Sequence, residues 1–355
     1  MARIINHTPK LDFRDVLIVP RASGVDSRRL VNLKTRYRFR NSGAVWEGLP
    51  LVSSNMDSVT GLSSHAVLQK RGWVSCFPKH LNRVWAAAGA PLPPVLADGS
   101  SYMLSTGISS EDLEVFHTLV SKVRDKGGDP RFICVDVANG YLSRFVDVCA
   151  SLRRRYKDIT IVAGNVVTPS AVEDLVLDGG VDIVKIGIGS GQACLTRRVA
   201  GVGYPQLSAV IECSEAAHGL GAHVMSDGGV ACPGDVAKAL CGGAHFVMIG
   251  SMLGAHNESP GSLKDGKKEV YGMSSSLANS KHNGGLQGYR SSEGRVAMVP
   301  LRGPLEDTLL NIEGGLRSAC TYVGAKDINA LAEHGQFVLV ARQLSTELDG
   351  YTVGA

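Results

Sequence analysis

The chain is poor in several things that would have placed it quickly. Only 6% of its 355 residues are aromatic, and no run of about 18 apolar residues occurs, which excludes a membrane-spanning helix. The N-terminal MARIINHTPKLDF has no apolar core of the signal-peptide kind, and the C-terminal YTVGA carries no recognisable address. None of the eight cysteines forms a C-x-x-C pair, so neither a zinc ribbon nor a disulfide framework is expected. Reduced thiols then fit the cytosol. Charge of one sign is also scarce. The net charge of +4 falls short of a nucleic-acid binder, although it suits a small anionic substrate. Arg153-Arg154-Arg155, the longest basic run, reads as a solvated helix end. The chain therefore reads as soluble and cytoplasmic, with no nucleic-acid or membrane partner.

Glycine is abundant instead, at 42 residues, with no collagen period. Apolar residues make up 44%, enough for a large core. At roughly 150 residues per domain the length suggests two domains, yet single α/β barrels run to about 250 or more. Parallel strands buried on both faces appear as short continuous apolar runs. Eight such runs are present, at 49–57, 72–77, 101–107, 131–140, 159–166, 181–189, 222–229 and 244–252. Helical patterns at 111–126, 142–156, 170–179 and 233–243 separate them. Alternation on this scale predicts an α/β chain folded as a closed (β/α)8 TIM barrel, one catalytic domain over 1–355 with its core at about 49–325. Residues 253–300 exceed a plain barrel loop and are expected to form a mobile flap over the mouth.

Barrel chemistry sits at the C-terminal strand ends. Asn55, Met56 and Asp57 follow the first strand, Asp136 and Asn139 the fourth, and Asn165 the fifth. Cys194 follows the sixth, in GIGSGQACLTRRVAGVGYPQ, and it alone among the cysteines sits in a glycine-rich loop flanked by cations, Arg197 and Arg198. Such charge would lower a thiol pKa. Cys76 and Cys134 lie inside strand runs and are expected in the core. SDGGV (226–230) and IGSM (249–252) follow the last two strands, where barrels commonly hold phosphate on backbone N–H groups. A plain Asp-Gly turn is the alternative for the first of these.

Taken together, GIGSGQACLTR, GVGYPQLSAV, SDGGVACPGDVAKAL, YGMSSS, YRSSEG and GGLRSACTYVGA resemble the GMP reductases of the IMP dehydrogenase superfamily. The likeness runs from LDFRDVLIVP (11–20) to about residue 325. It implies NADPH-dependent reductive deamination of GMP to IMP and ammonia through a covalent cysteine thioimidate, with Cys194 as nucleophile and Thr196 with Glu293 handling protons. It assigns the substrate to Asp227, Gly228, Gly229, Gly250, Ser251, Gly272, Met273 and Ser274, with Arg290, Ser291, Ser292 and Gly294. The dinucleotide falls to Ser27, Arg28, Lys79, Asp136, Val137, Ala138, Ile188, Gly189, Met273, Tyr289, Arg290, Ser318, Ala319, Cys320 and Thr321. Ser27 and Arg28 would come from a neighbouring subunit of a homotetramer, and the Arg28 fork would suit the 2′-phosphate of NADP. A plain surface arginine is the other reading. A monovalent cation, K+, is implied at the carbonyls of Gly189, Gly191 and Cys194 near Arg197, although hydrogen bonds alone would also hold that loop.

Two stretches depart from the family pattern. The usual Pro-Gly-Ser-Val-Cys-Thr-Thr is here Ser190-Gly191-Gln192-Ala193-Cys194-Leu195-Thr196, and the usual histidine-flanked lysine is Phe77-Pro78-Lys79-His80. The rival within the superfamily is the NAD-dependent dehydrogenase that oxidises IMP to XMP. It usually inserts a regulatory CBS-type module after the second strand, for which residues 78–100 leave no room, and it carries an Arg-Tyr pair on a longer flap. A non-catalytic nucleotide-binding barrel is the reading from another class. Such a barrel needs none of Cys194, Thr196 and Glu293.

Overall fold

The computed structural model of the chain describes residues 8–99, 101–289 and 291–340. Eight parallel strands close into a barrel: β1 (Leu51–Ser53), β2 (Val74–Phe77), β3 (Tyr102–Thr106), β4 (Phe132–Asp136), β5 (Thr160–Val166), β6 (Ile183–Ile186), β7 (His223–Asp227) and β8 (Phe246–Ile249). They neighbour one another in chain order, and β8 pairs with β1 to close the ring. The eight apolar runs and the (β/α)8 architecture are thus as the sequence predicts. Even the short third run is a strand, with all five of its residues buried.

Eight helices surround the barrel: α1 (Leu62–Lys70), α2 (Lys79–Ala86), α3 (Ser110–Asp125), α4 (Ser143–Arg155), α5 (Pro169–Leu177), α6 (Gln206–Gly219), α7 (Pro233–Cys241) and α8 (Leu305–Val323). Their starts follow from local chemistry. The Ser109 hydroxyl accepts the Asp112 N–H to cap α3, and α5 and α7 open on proline, whose missing N–H is not needed there. No helix among the described residues is long and apolar enough to cross a membrane.

Side chains alternate across each strand, so β4 sends Phe132, Cys134 and Asp136 to one face and β7 sends His223, Met225 and Asp227. The lower layers are apolar: Val52, Val74, Cys76, Met103, Cys134, Val162 and Met248 form one buried cluster. Cys76 and Cys134 are core residues, as expected, and none of the eight cysteines is paired. Phe39 and Trp46, from the hairpin Thr35–Arg38 and Val45–Gly48, close the N-terminal end against Phe132 and Phe246. At the other end the inward residues turn polar, and the cleft begins there.

One reading of the sequence needs correction. Arg153 is not part of a solvated helix end. Its guanidinium turns inward to Asp182 and to the carbonyls of Gly180, Tyr156 and Ile159, while Arg154 and Arg155 stay exposed. The sequence reading left the inner structure of the excursion after β8 unspecified: Leu263–Lys264, Lys267–Tyr271 and Val296–Pro300 form an antiparallel sheet, with a helix at Ser276–His282. Lys268 anchors that sheet by donating to the carbonyls of His256, Asn257 and Ser259 at 2.8, 3.1 and 2.6 Å.

Candidate active site

The strand ends of the barrel open into a cleft with about 1170 Å³ of empty space, continuous with solvent. Cys194 lies in its wall, half-buried, with Sγ 3.3 Å from the Thr196 hydroxyl. Thr196 in turn donates to Glu293 Oε2 at 2.6 Å. Residue 293 lies 97 positions further along the chain, so something must hold it there. That something is backbone. Leu195 N–H donates to the Glu293 carbonyl at 2.7 Å, Arg295 N–H donates to Ala193 at 2.8 Å, and Cys194 and Gly294 form an antiparallel bridge. A Cβ on Gly294 would stand 2.5 Å from the Ser275 nitrogen, and one on Gly272 would stand 2.9 Å from the Ala193 carbonyl. Only glycine lets these segments approach so closely.

Arg197, one of the two cations expected to flank the thiol, is engaged elsewhere. It donates to both carboxylate oxygens of Asp12 at 3.0 and 3.3 Å and to the Tyr204 carbonyl at 2.6 Å. Asp12 neutralises it: burial alone would raise that carboxyl's pKa, but Arg197 and the Gln206 N–H bring it below the ordinary value. The polar side chains that face Cys194 as a connected series are instead Thr196 and, through it, Glu293. Of the carbonyls implied for a cation, that of Gly191 already accepts the Cys194 N–H at 2.9 Å.

Beside the cysteine loop, Asp227, Gly228, Gly229, Gly250 and Ser251 line the cleft, as do Gly272, Met273, Ser274 and Gly294. Gly228 has φ +88°, and a Cβ there would strike Ser190 Oγ at 2.7 Å, so the turn after β7 demands glycine. Asp136, Val137, Ala138, Ile188 and Gly189 line the same cleft. Most of the residues assigned from the sequence to the nucleotide, and six of the fifteen assigned to the dinucleotide, thus line one cavity.

The match of this chain to the family model for the IMP dehydrogenase / GMP reductase domain spans residues 10–349. The chain belongs to that family. Among curated relatives, a GMP reductase of Phytophthora infestans is 47% identical over 341 residues, covering 95% of this chain and 92% of its own. One from Caenorhabditis elegans is 47% identical over 348 residues, covering 97% and 95%, and human GMP reductase 2 is 44% identical over 346, covering 96% and 97%.

Several residues that the family pattern suggests lie elsewhere in the single chain. Lys79 opens α2 directly after Pro78, and its ammonium is 2.9 Å from Asp112 Oδ2 of α3, where Arg83 also binds. Ser27 caps a short turn at Arg28–Leu30, and Arg28 is exposed there. Ser318, Ala319, Cys320 and Thr321 sit on α8. The Cys320 side chain is wholly buried in the core and the Thr321 hydroxyl donates to the Ser318 carbonyl, because mid-helix positions face whatever the helix packs on. Tyr289 is 82% exposed. Ser291 is exposed, and the Ser292 hydroxyl accepts the Ser276 N–H at 3.0 Å instead of facing the cleft. Arg290 lies outside the described residues.

Two residues, Lys185 and Gln192, escaped sequence reasoning as site residues, and a third, Asn55, was marked only by its place after the first strand. Lys185 reads as a polar interruption in an apolar run, yet it lines the cleft and is only 2% exposed. Asn55 donates to Asp136 Oδ2 at 2.9 Å, and Gln192 accepts the Ser251 hydroxyl at 2.6 Å, tying the cysteine loop to the loop after β8. At the rim, His282 bonds Asp57 and its ring stacks on His80 with centroids 3.4 Å apart. Their donor atoms lie within 4.8 Å of one another, but rings lying face to face do not converge their in-plane lone pairs. This cluster joins the Ser276–His282 helix to the loop after β1 and to the first turn of α2.

Proposed function

We propose that this protein converts GMP to IMP and ammonia with NADPH as reductant, by way of a covalent bond between Cys194 and purine C2. The observation that carries the reading is the hydrogen-bonded series Cys194–Thr196–Glu293 in a cleft able to hold a nucleotide. It is supported by whole-length likeness to proteins named GMP reductase.

Guanine C2 is a poor electrophile and its amino group a poor leaving group. Glu293 accepts from Thr196, and the Thr196 oxygen accepts from the Cys194 thiol, so the thiol proton can pass along the series as sulfur adds to C2. The same proton, returned to the amino nitrogen, lets the C2–N bond break and ammonia depart, leaving a thioimidate. Bound NADPH supplies a hydride to C2. Loss of the C2–S bond then restores the thiolate, which regains a proton. Asp227 holds the ribose in this reading, while Gly228, Gly229, Gly250 and Ser251 hold the phosphate. Gly272, Met273 and Ser274, with Glu293 and Gly294, surround the base.

The dinucleotide half fits the chemistry of its walls: Val137, Ala138, Ile188 and Met273 offer apolar surface for a flat ring, and Asp136 a polar acceptor. Among the described residues of the same chain, Lys185 is the one cation lining the cleft, and it is already paired. Arg28 of a neighbouring subunit in a homotetramer completes it in this reading. K+ would take the carbonyls of Gly189, Gly191 and Cys194. The setting is cytoplasmic, in keeping with eight cysteines that form no pairs. Absorbance at 340 nm tests the reaction. Loss of signal with GMP and NADPH supports it, whereas a gain with IMP and NAD, or no change with either pair, refutes it.

A further inference from the structure

Lys185 has no part in the steps just described, yet it occupies the centre of the barrel's polar layer. Its ammonium lies 2.6 Å from Asp136 Oδ1 and 2.7 Å from Asp227 Oδ2, and its side chain is 2% exposed. Two amides complete the arrangement, Asn55 on Asp136 Oδ2 and Asn165 on Asp227 Oδ2, each at 2.9 Å. Asp227 Oδ1 makes no hydrogen bond with any described residue, which leaves it to a ligand. The three charged residues come from β4, β6 and β7.

A lysine taken out of water destabilises the fold unless it is well paired, and an apolar residue would fill the same space, as Ile183 does two positions earlier on β6. Without the cation, two carboxylates sharing one buried layer would repel, and one would bind a proton and cease to be a pure acceptor. Burial acts to discharge Lys185, but the two carboxylates outweigh it and hold it charged. Asp136 stays ionised for the same reason, with Lys79 acting on it from outside the layer.

We infer that Lys185 is a positioning residue that fixes Asp136 and Asp227 relative to one another, and thereby couples the nucleotide half of the cleft to the dinucleotide half. The inference rests on the proposed reading, in which these carboxylates serve different ligands.

Steady-state kinetics of Lys185→Met, with folding checked by circular dichroism, is the direct test. KM for GMP and KM for NADPH are expected to rise together, each by about tenfold or more. A folded variant with both values within about twofold of wild type, or with only one displaced, overturns the inference. If that variant does not fold, Asp136→Asn keeps the lysine paired with Asp227. Calorimetric GMP affinity should then fall about fivefold although residue 136 serves the other ligand, and Asp136→Asn with Asp227→Asn should fall short of the product of the single effects. An unchanged GMP affinity, or a strictly multiplicative pair, overturns it. Wild type that neither binds GMP nor oxidises NADPH with it sinks the parent reading, and the lysine inference with it. Wild type that does both isolates the test on Lys185.

Discussion

The barrel buries carboxylates at both ends, and the two ends treat them differently. At the N-terminal end Asp182 is wholly enclosed and fully used: Oδ1 takes the N–H groups of Asn41 and Ser42 at 2.8 and 2.9 Å, and Oδ2 takes Ile161 N–H and Arg153. At the C-terminal end Asp227 is 20% exposed and keeps an oxygen in reserve. Residue type and strand context are alike, for both lie on barrel strands or at their edges. The difference is satisfaction. A carboxylate whose lone pairs are all taken fastens the fold, and one left with spare capacity in a cleft is available to a ligand.

The sharpest way to break this contrast lies at the open end. Cys194→Ala is expected to lower turnover of GMP by at least about 10³-fold while the melting temperature stays near wild type. Retained turnover would refute the covalent route. Mass spectrometry of enzyme quenched during turnover should find a nucleotide adduct on the peptide holding Cys194. Next comes Glu293→Gln, which keeps the shape of the acceptor but cannot take the relayed proton. A loss of about 10² to 10⁴-fold in kcat, with KM for GMP little changed, is expected. An equal loss in Thr196→Val would place both on one relay, and a variant pair that multiplied its effects would separate them.

The closed end should answer in the opposite currency. Asp182→Ala leaves Arg153 buried with its charge uncompensated, and about 3–5 kcal/mol of stability should be lost in denaturant titration. Activity per folded molecule should remain near wild type. A catalytic defect without loss of stability would show that the two ends are not separable in this way.

What the sequence revealed follows the same division. The strands were legible because parallel strands buried on both faces are continuous apolar runs, as in ITIVAGNV and AHFVMIGSM. Cys194 was legible from its glycine loop. Its neighbours' partners were not: Arg197 reads as a cation beside a thiol until Asp12, 185 residues away, neutralises it. Lys185 was illegible for the same reason, since Asp227 is 42 residues distant and nothing local marks the lysine as paired. Glu293 was visible only through YRSSEG, because an isolated loop carboxylate carries no local signal. The sheet within the excursion after β8 was not legible because its polar composition masks an alternation, exposed and half-buried in turn along Val296–Pro300.

The smallest expected effect concerns the rim, which is neither sealed nor open. His80 is pushed down to about 4 by burial and by the ring of His282 against it, with Lys79 and Arg83 acting the same way and Asp57 opposing. It is therefore neutral in the folded protein at pH 7, whereas in an unfolded or opened state it titrates at its ordinary 6.5. A depressed value means that the opened state binds the extra proton, so the rim contact is intact above pH 6.5 and weakens as pH falls toward about 4. Hydrogen exchange of the Ser276–His282 helix should accelerate severalfold between pH 7 and 5, after correction for intrinsic rates, while β4 to β7 hold their protection. His80→Gln should flatten that pH dependence without changing the nucleotide-side residues. If the helix and the barrel strands instead lost protection in parallel, the rim would belong to the fastened part of the molecule, and satisfaction of polar groups would not be what sets its mobility.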